Sequence, residues 1–378
     1  GAMIANLLVA PIFGAMSDNA RRRLPFLAVF SLVGIASTFL LGSLSLEASL
    51  VLFGVALVAM HTGIVIYNAL LVEVSTKRNR GFIGGLGIGV GYLGALLAVL
   101  IGLTLAEEQG YVMAFRVIGV LMLVMTLPVL TLLRERPREL RGDGGISAGH
   151  GAVAGVGDAL RRARRYPGLI SFLIGRFWYY LAVNTASIFA FLYGTKTIGF
   201  SETKVYLVLG IGILTAIAAA SMWGRLSDRI GPFRSMKIVL CSWVVVLFAT
   251  VAIPWLNLPA ELYWIIGPAS GVLVAGTWAV DRPLLLKLIP EERAGQFFGL
   301  HSLTGRLGTI VGPAAWGFIA DDMLWFGLDM GLGLGQTASV TSLIVATAFG
   351  LYFVARSGEE LGTATKKQAL PDTREGGD

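Results

Sequence analysis

The sequence is dominated by long apolar stretches that recur along almost its whole length, with short polar segments between them. Most of these stretches approach the roughly 20 residues that a helix needs to cross a hydrocarbon core of about 30 Å. They are rich in Gly, Ala and Leu and lack the alternation of apolar and polar residues typical of barrel strands. We therefore predict an all-α membrane protein. The eleven predicted spans are residues 1–16, 24–46, 50–72, 82–105, 112–133, 168–194, 205–224, 235–256, 262–287, 295–320 and 333–355.

Composition supports lipid as the solvent of this chain. Hydrophobic residues make up 55% and charged residues 14%, whereas a soluble domain has about 45–50% apolar and about 25% charged residues. The net charge of +7 comes from Lys and Arg in short loops, so membrane topology explains it better than nucleic-acid binding. The chain has one cysteine, Cys241, which excludes an intrachain disulfide framework and a cysteine-based metal site.

Alternate loops hold most of the basic residues, and the opposite loops hold acidic ones such as Glu107 and Glu108. The positive-inside rule places the basic loops in the cytoplasm. We expect a multi-pass protein of a cell membrane, with a bacterial inner membrane as its location. Because eleven spans that end inside begin outside, we also expect one further span before residue 1. The loops expected in the cytoplasm, with the C-terminus, are 17–24, 73–81, 134–167, 225–234 and 288–294.

A polar motif occurs twice at the same place in the pattern of spans. Gly14 and Asp18 follow the first span, Gly224 and Asp228 follow the seventh, and both pairs of equivalents are 210 residues apart. Matching motifs at a long period indicate an internal repeat. Two parallel repeats around a midplane site are typical of a class of secondary transporters. The expected domains are an N-terminal bundle (1–133), a cytoplasmic linker (134–167), a C-terminal bundle (168–356) and a disordered cytoplasmic tail (357–378).

The Gly-x-x-x-Asp spacing has a physical meaning. Glycine lets two helix ends approach closely, and a carboxylate there can accept hydrogen bonds from the free N–H groups of a neighbouring helix N-terminus. We predict that Asp18 caps the helix that starts near Gly81, and that Asp228 caps the helix that starts near Ala294. The alternative is a plain loop with a turn. The predicted conformational motif consists of Gly14, Asp18, Arg22, Gly224, Asp228 and Arg229.

Both copies of this motif resemble the loop after the second and the eighth helix of the major facilitator superfamily. Other stretches are similar to its vacuole-effluxer branch, which groups autophagy-related amino-acid effluxers with uncharacterised bacterial members. The resemblance implies two pseudo-symmetric six-helix bundles, of which this chain holds helices 2–12. It also implies a monomeric secondary transporter that moves a small solute by alternating access, with amino-acid efflux and proton coupling as expectations. The stretches that carry the branch resemblance are 67–71, 91–94, 184–185, 288–291, 297–300 and 312–313.

Other functions are weighed against transport. A membrane enzyme is disfavoured because the sequence has no metal-ligand cluster, nucleophile motif or phosphate loop, so we expect no enzyme activity and no cofactor. A receptor that transports nothing, or a lipid scramblase, on the same fold stays an alternative, because a fold does not determine function. The expected partners are the lipid bilayer, a small-molecule solute and protons.

Polar side chains inside the spans are the candidate site, because they are costly in lipid and should face protein or water. Asp281 is the only carboxylate well inside a span, so it is the first candidate for a titrating group. We expect it to pair with Arg176 or Arg282, and a fixed structural ion pair is the alternative. Arg306 lies near mid-membrane and is a candidate for an anionic group of the solute.

Spacing adds further candidates on three spans that the resemblance places around a central cavity. Arg176, Tyr180, Asn184 and Ser187 recur every three or four residues and share one helix face. They read either as solute contacts or as helix–helix hydrogen bonds. The complete set of candidate substrate or coupling residues is Asp281, Arg282, Arg176, Tyr180, Asn184, Arg306, His61, Asn68 and Trp278.

Overall fold

The computed structural model describes residues 2–135, 137, 152–320 and 334–369, and all regular structure in this part of the chain is helical. Each predicted span overlaps one long helix. The long helices are α1 (Ala2–Asn19), α2 (Leu24–Leu40), α3 (Leu46–Ala69), α5 (Arg80–Gln109), α6 (Tyr111–Leu132), α8 (Leu169–Lys196), α9 (Glu202–Ile230), α10 (Pro232–Trp255), α11 (Tyr263–Leu288), α12 (Ala294–Ala320) and α13 (Leu334–Ala369). Two short helices, α4 (Leu71–Val74) and α7 (Ala152–Ala163), and two 3₁₀ turns, Ala260–Leu262 and Glu291–Arg293, complete the described structure.

Seven stretches of the described chain are long and apolar enough to cross a membrane, judged by length and composition. They are residues 46–74, 80–105, 111–132, 202–230, 232–255, 260–288 and 335–367, and α2 is a shorter apolar helix. Helices α8 and α12 are of similar length but carry the buried side chains of Arg176, His301 and Arg306. These polar groups face protein, as a membrane requires of side chains that are costly in lipid.

Local sequence explains several of the helix ends. Ser45 and Ser201 precede α3 and α9, and each hydroxyl accepts a bond from a backbone N–H in the first turn, the usual capping arrangement. Gly231 has a positive φ of 89° and ends α9, and Pro232 then starts α10 at a position that needs no N–H donor.

The long helices pack into two groups that meet along two interfaces. Helices α2, α3 and α6 pack together with α1 and α5 beside them, and α8 to α13 form the second group. Between the groups, α1 packs along α12, and α5 packs along α9 and α11. The loops 17–24, 73–81, 225–234 and 288–294 lie together at one end of the molecule, which we call the basic end.

The last helix corrects one sequence prediction. Helix α13 continues to Ala369, so residues 357–369 are helical and the predicted disordered tail from 357 is wrong for this part. The Ser357 side chain is fully buried and donates to the Gly168 carbonyl at 2.7 Å, and Ser171 donates to Glu360 at 2.9 Å. These contacts give the helix tertiary partners that its polar sequence does not reveal. Residues 370–378 lie outside the described chain, and the other domain boundaries stay predictions.

Candidate functional site

A buried cluster of charged and polar groups surrounds Asp281 where α8, α11 and α12 meet. The Asp281 carboxylate accepts from Arg176 Nε at 3.1 Å and from the Tyr179 hydroxyl at 2.6 Å. His301 Nε2 lies 2.8 Å from its Oδ2 atom. Asp281 is only 3% exposed, so the carboxylate depends on these three groups rather than on water. We call Arg176, Tyr179, Asp281 and His301 the charge cluster.

Arg176 joins the charge cluster to the backbone of α12. One terminal nitrogen donates to the His301 carbonyl at 2.5 Å and to the Thr304 hydroxyl at 3.0 Å. The guanidinium also lies over the Tyr180 ring, 4.7 Å from its centroid. Of the two predicted partners of Asp281, the structure pairs Arg176 with it. The other, Arg282 of α11, has its guanidinium 5.7 Å from the centroid of the Tyr67 ring, which belongs to α3 in the first group of helices.

Sequence reasoning missed two members of the charge cluster. Tyr179 is three residues after Arg176, so helical spacing alone places both on one face. His301 also packs against aromatic rings, since it stacks on Phe172 and meets Phe298 edge to face. Its contact with Asp281 depends on how α12 lies against α11, which one sequence does not reveal.

The predicted polar stripe of α8 is divided between two places. Arg176 belongs to the charge cluster, whereas Asn184 and Ser187 line a separate cavity together with Trp278. Tyr180 lies between them, because its ring contacts the Trp278 ring at 4.8 Å as well as the Arg176 guanidinium. The stripe thus connects the charge cluster to the cavity.

Arg306, His61 and Asn68 are not part of the charge cluster. Arg306 is buried at the interface of α12 with α1 and α3, where it donates to the backbone carbonyls of Asn6 and His61. Two of its three nitrogens are used in this way, which leaves Nε without a hydrogen-bond partner in the described chain. Asn68 is buried, and its Oδ1 atom also has no such partner there. An anion site at Arg306 therefore stays a prediction, and it would have to compete with the backbone.

Both motif aspartates cap helices, but the predicted partners were wrong because they were exchanged. Asp18 accepts from the backbone N–H groups of Gly295 and Gln296 at 2.9 and 2.7 Å, in the first turn of α12. Asp228 accepts from Gly81 and Phe82 at 2.7 and 2.8 Å, in the first turn of α5. Each aspartate caps a helix of the other group, so the two caps join the groups at the basic end. The chemistry of a cap is local, but the helix that lies beside it is decided by tertiary packing.

The arginines that follow the motif aspartates differ in their exposure. Arg22 and Arg229 are exposed. Arg23 is fully buried, pairs with Asp18 and donates to the Ala69 carbonyl at 3.0 Å. The Glu135 carboxylate accepts from the backbone N–H groups of Arg23 and Leu24 at 2.7 and 2.8 Å. Arg23 and Glu135 are thus motif partners that sequence reasoning did not identify.

Paired glycines allow the caps to form. A Cβ atom on Gly224 would overlap the backbone oxygen of Gly81, and one on Gly295 would overlap that of Gly14. Backbone atoms cannot rotate away as a side chain can, so larger residues at these positions would separate the helices. Arg80 and Glu291 add an ion pair of 2.9 Å between the two groups at the same end.

Replacing Gly224 by valine should therefore open the basic end between α5 and α9. The reporter is Ser227→Cys in a Cys241→Ser background, because Ser227 is only 2% exposed. We expect Gly224→Val to raise its reaction rate with a hydrophilic maleimide by about tenfold or more, since overpacking costs about 1–3 kcal/mol. The control is Gly210→Val on the same helix, where an added Cβ meets nothing within 4 Å. Equal rates in both variants would contradict this role of Gly224.

The described residues contain no group of three His, Cys, Asp or Glu side chains placed to hold a metal ion. A buried carboxylate with a guanidinium, a phenol and an imidazole around it can change its contacts when it gains a proton.

Comparisons with known proteins agree with this architecture. A family model described as Major Facilitator Superfamily matches residues 1–313. The uncharacterized MFS-type transporter YxiO of Bacillus subtilis is 22% identical over 375 residues, which cover 96% of this chain and 83% of that protein. Autophagy-related protein 22 of Kluyveromyces lactis is 25% identical over 339 residues, which cover 78% of this chain and 66% of that protein.

Solved structures with low sequence identity share the fold. The E. coli fucose:proton symporter FucP is similar with a TM-score of 0.68 and 13% identity, over 94% of this chain and 90% of that chain. Its structure in the outward conformation gives a TM-score of 0.71, also at 13% identity, over 94% and 89% of the two chains.

Proposed function

The chain belongs to the Major Facilitator Superfamily, and we propose that it couples solute movement to protons through Asp281. As a member of this family it is a multi-pass membrane protein and a secondary active transporter of a small solute, not an enzyme. The proton coupling, the orientation and the direction of transport are our proposals.

The coupling proposal rests on one observation. This observation is the balance of charge around Asp281. The charged and titratable groups that face it are Arg176 and Tyr179 from α8 and His301 from α12, with Arg282 next to it on α11. A proton on Asp281 would remove the countercharge of Arg176 and leave a buried guanidinium without its partner. An uncompensated buried charge costs several kcal/mol, so protonation favours any conformation in which water reaches Arg176.

Helix α12 links the charge cluster to the cap made by Asp18. His301 is six residues beyond Gly295, which is about 9 Å at the helical rise of about 1.5 Å per residue. The first turn of α12 thus contacts Asp18 from α1, and the His301 carbonyl, about two turns further along, accepts from Arg176 of α8. A change in the charge cluster acts on the same rigid helix that closes the basic end, which is the kind of shared element that coupling needs.

We place the basic end in the cytoplasm, because its loops hold the excess of Lys and Arg. The two caps then describe a state closed to the cytoplasm. In a state open to the cytoplasm, the charge cluster would exchange protons with the cytoplasm. We propose efflux as the direction and a monomer as the working unit, in keeping with the resemblance to the vacuole-effluxer branch.

The test needs no solute, because it follows the conformation as a function of pH. Spin labels at Arg78→Cys and Glu292→Cys, both exposed at the basic end, report the distance between the two groups of helices in a Cys241→Ser background. We expect a population at longer distance to grow between pH 8 and pH 5, because protonation releases Arg176. In Asp281→Asn the distribution should not depend on pH, whereas Glu261→Gln, an exposed carboxyl, should behave as the parent does. A parent distribution that stays the same at both pH values would overturn the coupling proposal.

A further inference from the structure

A cavity of about 450 Å³ lies within the second group of helices, among α8, α9, α10, α11, α12 and α13. This volume is within the range of sites that hold drug-sized molecules. Tyr92 of α5 contributes one wall from the other group of helices. The cavity therefore reaches the interface of α5 with the second group, although most of its lining residues belong to that group. We call it the aromatic cavity.

The walls of the aromatic cavity are apolar, with aromatic rings from several helices. The lining includes the rings of Trp243, Trp278, Trp316 and Phe189, and Phe189 and Trp316 stack with their ring centroids 4.7 Å apart. None of the described residues that line it carries a charge. Such walls favour flat or branched apolar groups, which gain free energy in proportion to the area that they remove from water.

Two buried polar atoms of the cavity lining have no hydrogen-bond partner among the described residues. The hydroxyls of Ser187, Thr250 and Tyr263 donate to backbone carbonyls inside the bundle. In contrast, Asn184 Oδ1 and Trp316 Nε1 are buried and unpaired, and Trp316 is only 3% exposed. An unpaired buried polar atom costs about 1–3 kcal/mol, so each of these two calls for an explanation. Both atoms are covered by protein in this state, so the acceptor and the donor would meet a bound molecule only after a side-chain movement.

We infer that the aromatic cavity binds a neutral solute with a large apolar body, and that Asn184 and Trp316 move to accept one hydrogen bond from it and to donate one. This inference rests on the transport function proposed above and names the class of its solute. An ammonium or carboxylate group in the cavity would lack a countercharge, because Arg176 and Asp281 are bonded to each other. Burying such a group without a partner costs several kcal/mol. The free zwitterion of an amino acid is therefore a poor occupant of this cavity.

The cavity wall also contacts the charge cluster. The Trp278 ring lies 4.8 Å from the Tyr180 ring, and the Tyr180 ring lies under the Arg176 guanidinium. A solute that packs against Trp278 would contact one end of the stack formed by Trp278, Tyr180 and Arg176, and the other end of this stack is bonded to Asp281. Solute binding and proton exchange would then act on neighbouring contacts.

Photolabelling with 4-hydroxybenzophenone tests this inference. The probe is a neutral ketone at pH 6 with two rings, one hydroxyl donor and one carbonyl acceptor. We expect saturable labelling of peptides from α8, α11 or α12 that line the cavity, in protein held in lipid nanodiscs. Benzoylphenylalanine carries the same rings on a zwitterion, and we expect it to compete at least tenfold more weakly.

Variants of the lining sharpen the test. Ser187→Phe should block labelling, and Ile188→Phe is its control, because Ile188 is 50% exposed and does not line the cavity. Asn184→Leu and Trp316→Phe should each raise the half-saturation concentration by about tenfold, the effect of losing one hydrogen bond of about 1.4 kcal/mol. Equal competition by the zwitterion, or labelling that Ser187→Phe leaves unchanged, would overturn the inference. Labelling needs no pH gradient. It can therefore succeed even if the spin-label distances do not depend on pH, so the two proposals can fail separately.

Discussion

Arg176→Met is expected to destabilise the folded protein by about 3–5 kcal/mol, the range found when one partner of a buried ion pair is removed. The variant leaves the Asp281 carboxylate, 3% exposed, without the guanidinium that lies 3.1 Å away. It also leaves the His301 carbonyl and the Thr304 hydroxyl without the donor that they share. Methionine keeps most of the volume of the arginine stem, so the loss measures charge and hydrogen bonding more than packing.

A double variant separates the charge effect from other causes. Arg176→Met combined with Asp281→Leu removes both charges, and most of the stability should return, because an apolar pair of similar volume is often neutral or better. The free energy of unfolding in mixed micelles of SDS and a mild detergent is the measurement. Arg21→Met, at an exposed position, is the control for loss of one arginine. Equal free energies of unfolding for Arg176→Met and Arg21→Met would contradict a stabilising role of the charge cluster. A double variant less stable than Arg176→Met alone would contradict it as well.

Asp18→Asn and Asp228→Asn are each expected to shift the protein towards the state in which the basic end is open. Each carboxylate uses one oxygen for each of two backbone N–H groups on the other group of helices. The amide keeps one oxygen and loses the charge that the helix N-terminus favours. Hydrogen bonds to charged groups contribute about 1.5–3 kcal/mol, so each variant should change the ratio of the two states on the order of 10- to 100-fold.

The spin-label pair at Arg78→Cys and Glu292→Cys measures this shift in the same Cys241→Ser background. The two caps lie on separate interfaces, α1 with α12 and α5 with α9, so the free-energy changes should add in the double variant. Arg229→Gln, at an exposed motif position, should leave the distances unchanged. Short distances that persist in the double variant would show that the caps do not hold the basic end closed.

Prediction from sequence succeeded where the physical cause is local. Apolar stretches long enough for a bilayer become helices because their backbone groups must be paired within each span, whichever neighbours they meet. The Gly-x-x-x-Asp motif also acts locally. Its glycine lets another helix approach, and its aspartate at the helix end can accept from the free N–H groups of that helix. Even the pairing of Asp281 with Arg176 was one of two predicted options, because a buried carboxylate requires a cation.

The amino-acid sequence by itself determined the helices, their repeat, the family and the kind of contact that Asp18, Asp228 and Asp281 make. Only the tertiary structure decided which partners they meet. It exchanged the helices that Asp18 and Asp228 cap, brought His301 to Asp281, directed Arg306 to the carbonyls of Asn6 and His61, and placed Asn184 and Trp316 around one cavity. The reason is that helix formation and the need for a countercharge act within a few residues. The neighbour that satisfies this need comes from a helix as much as 300 residues away in the chain.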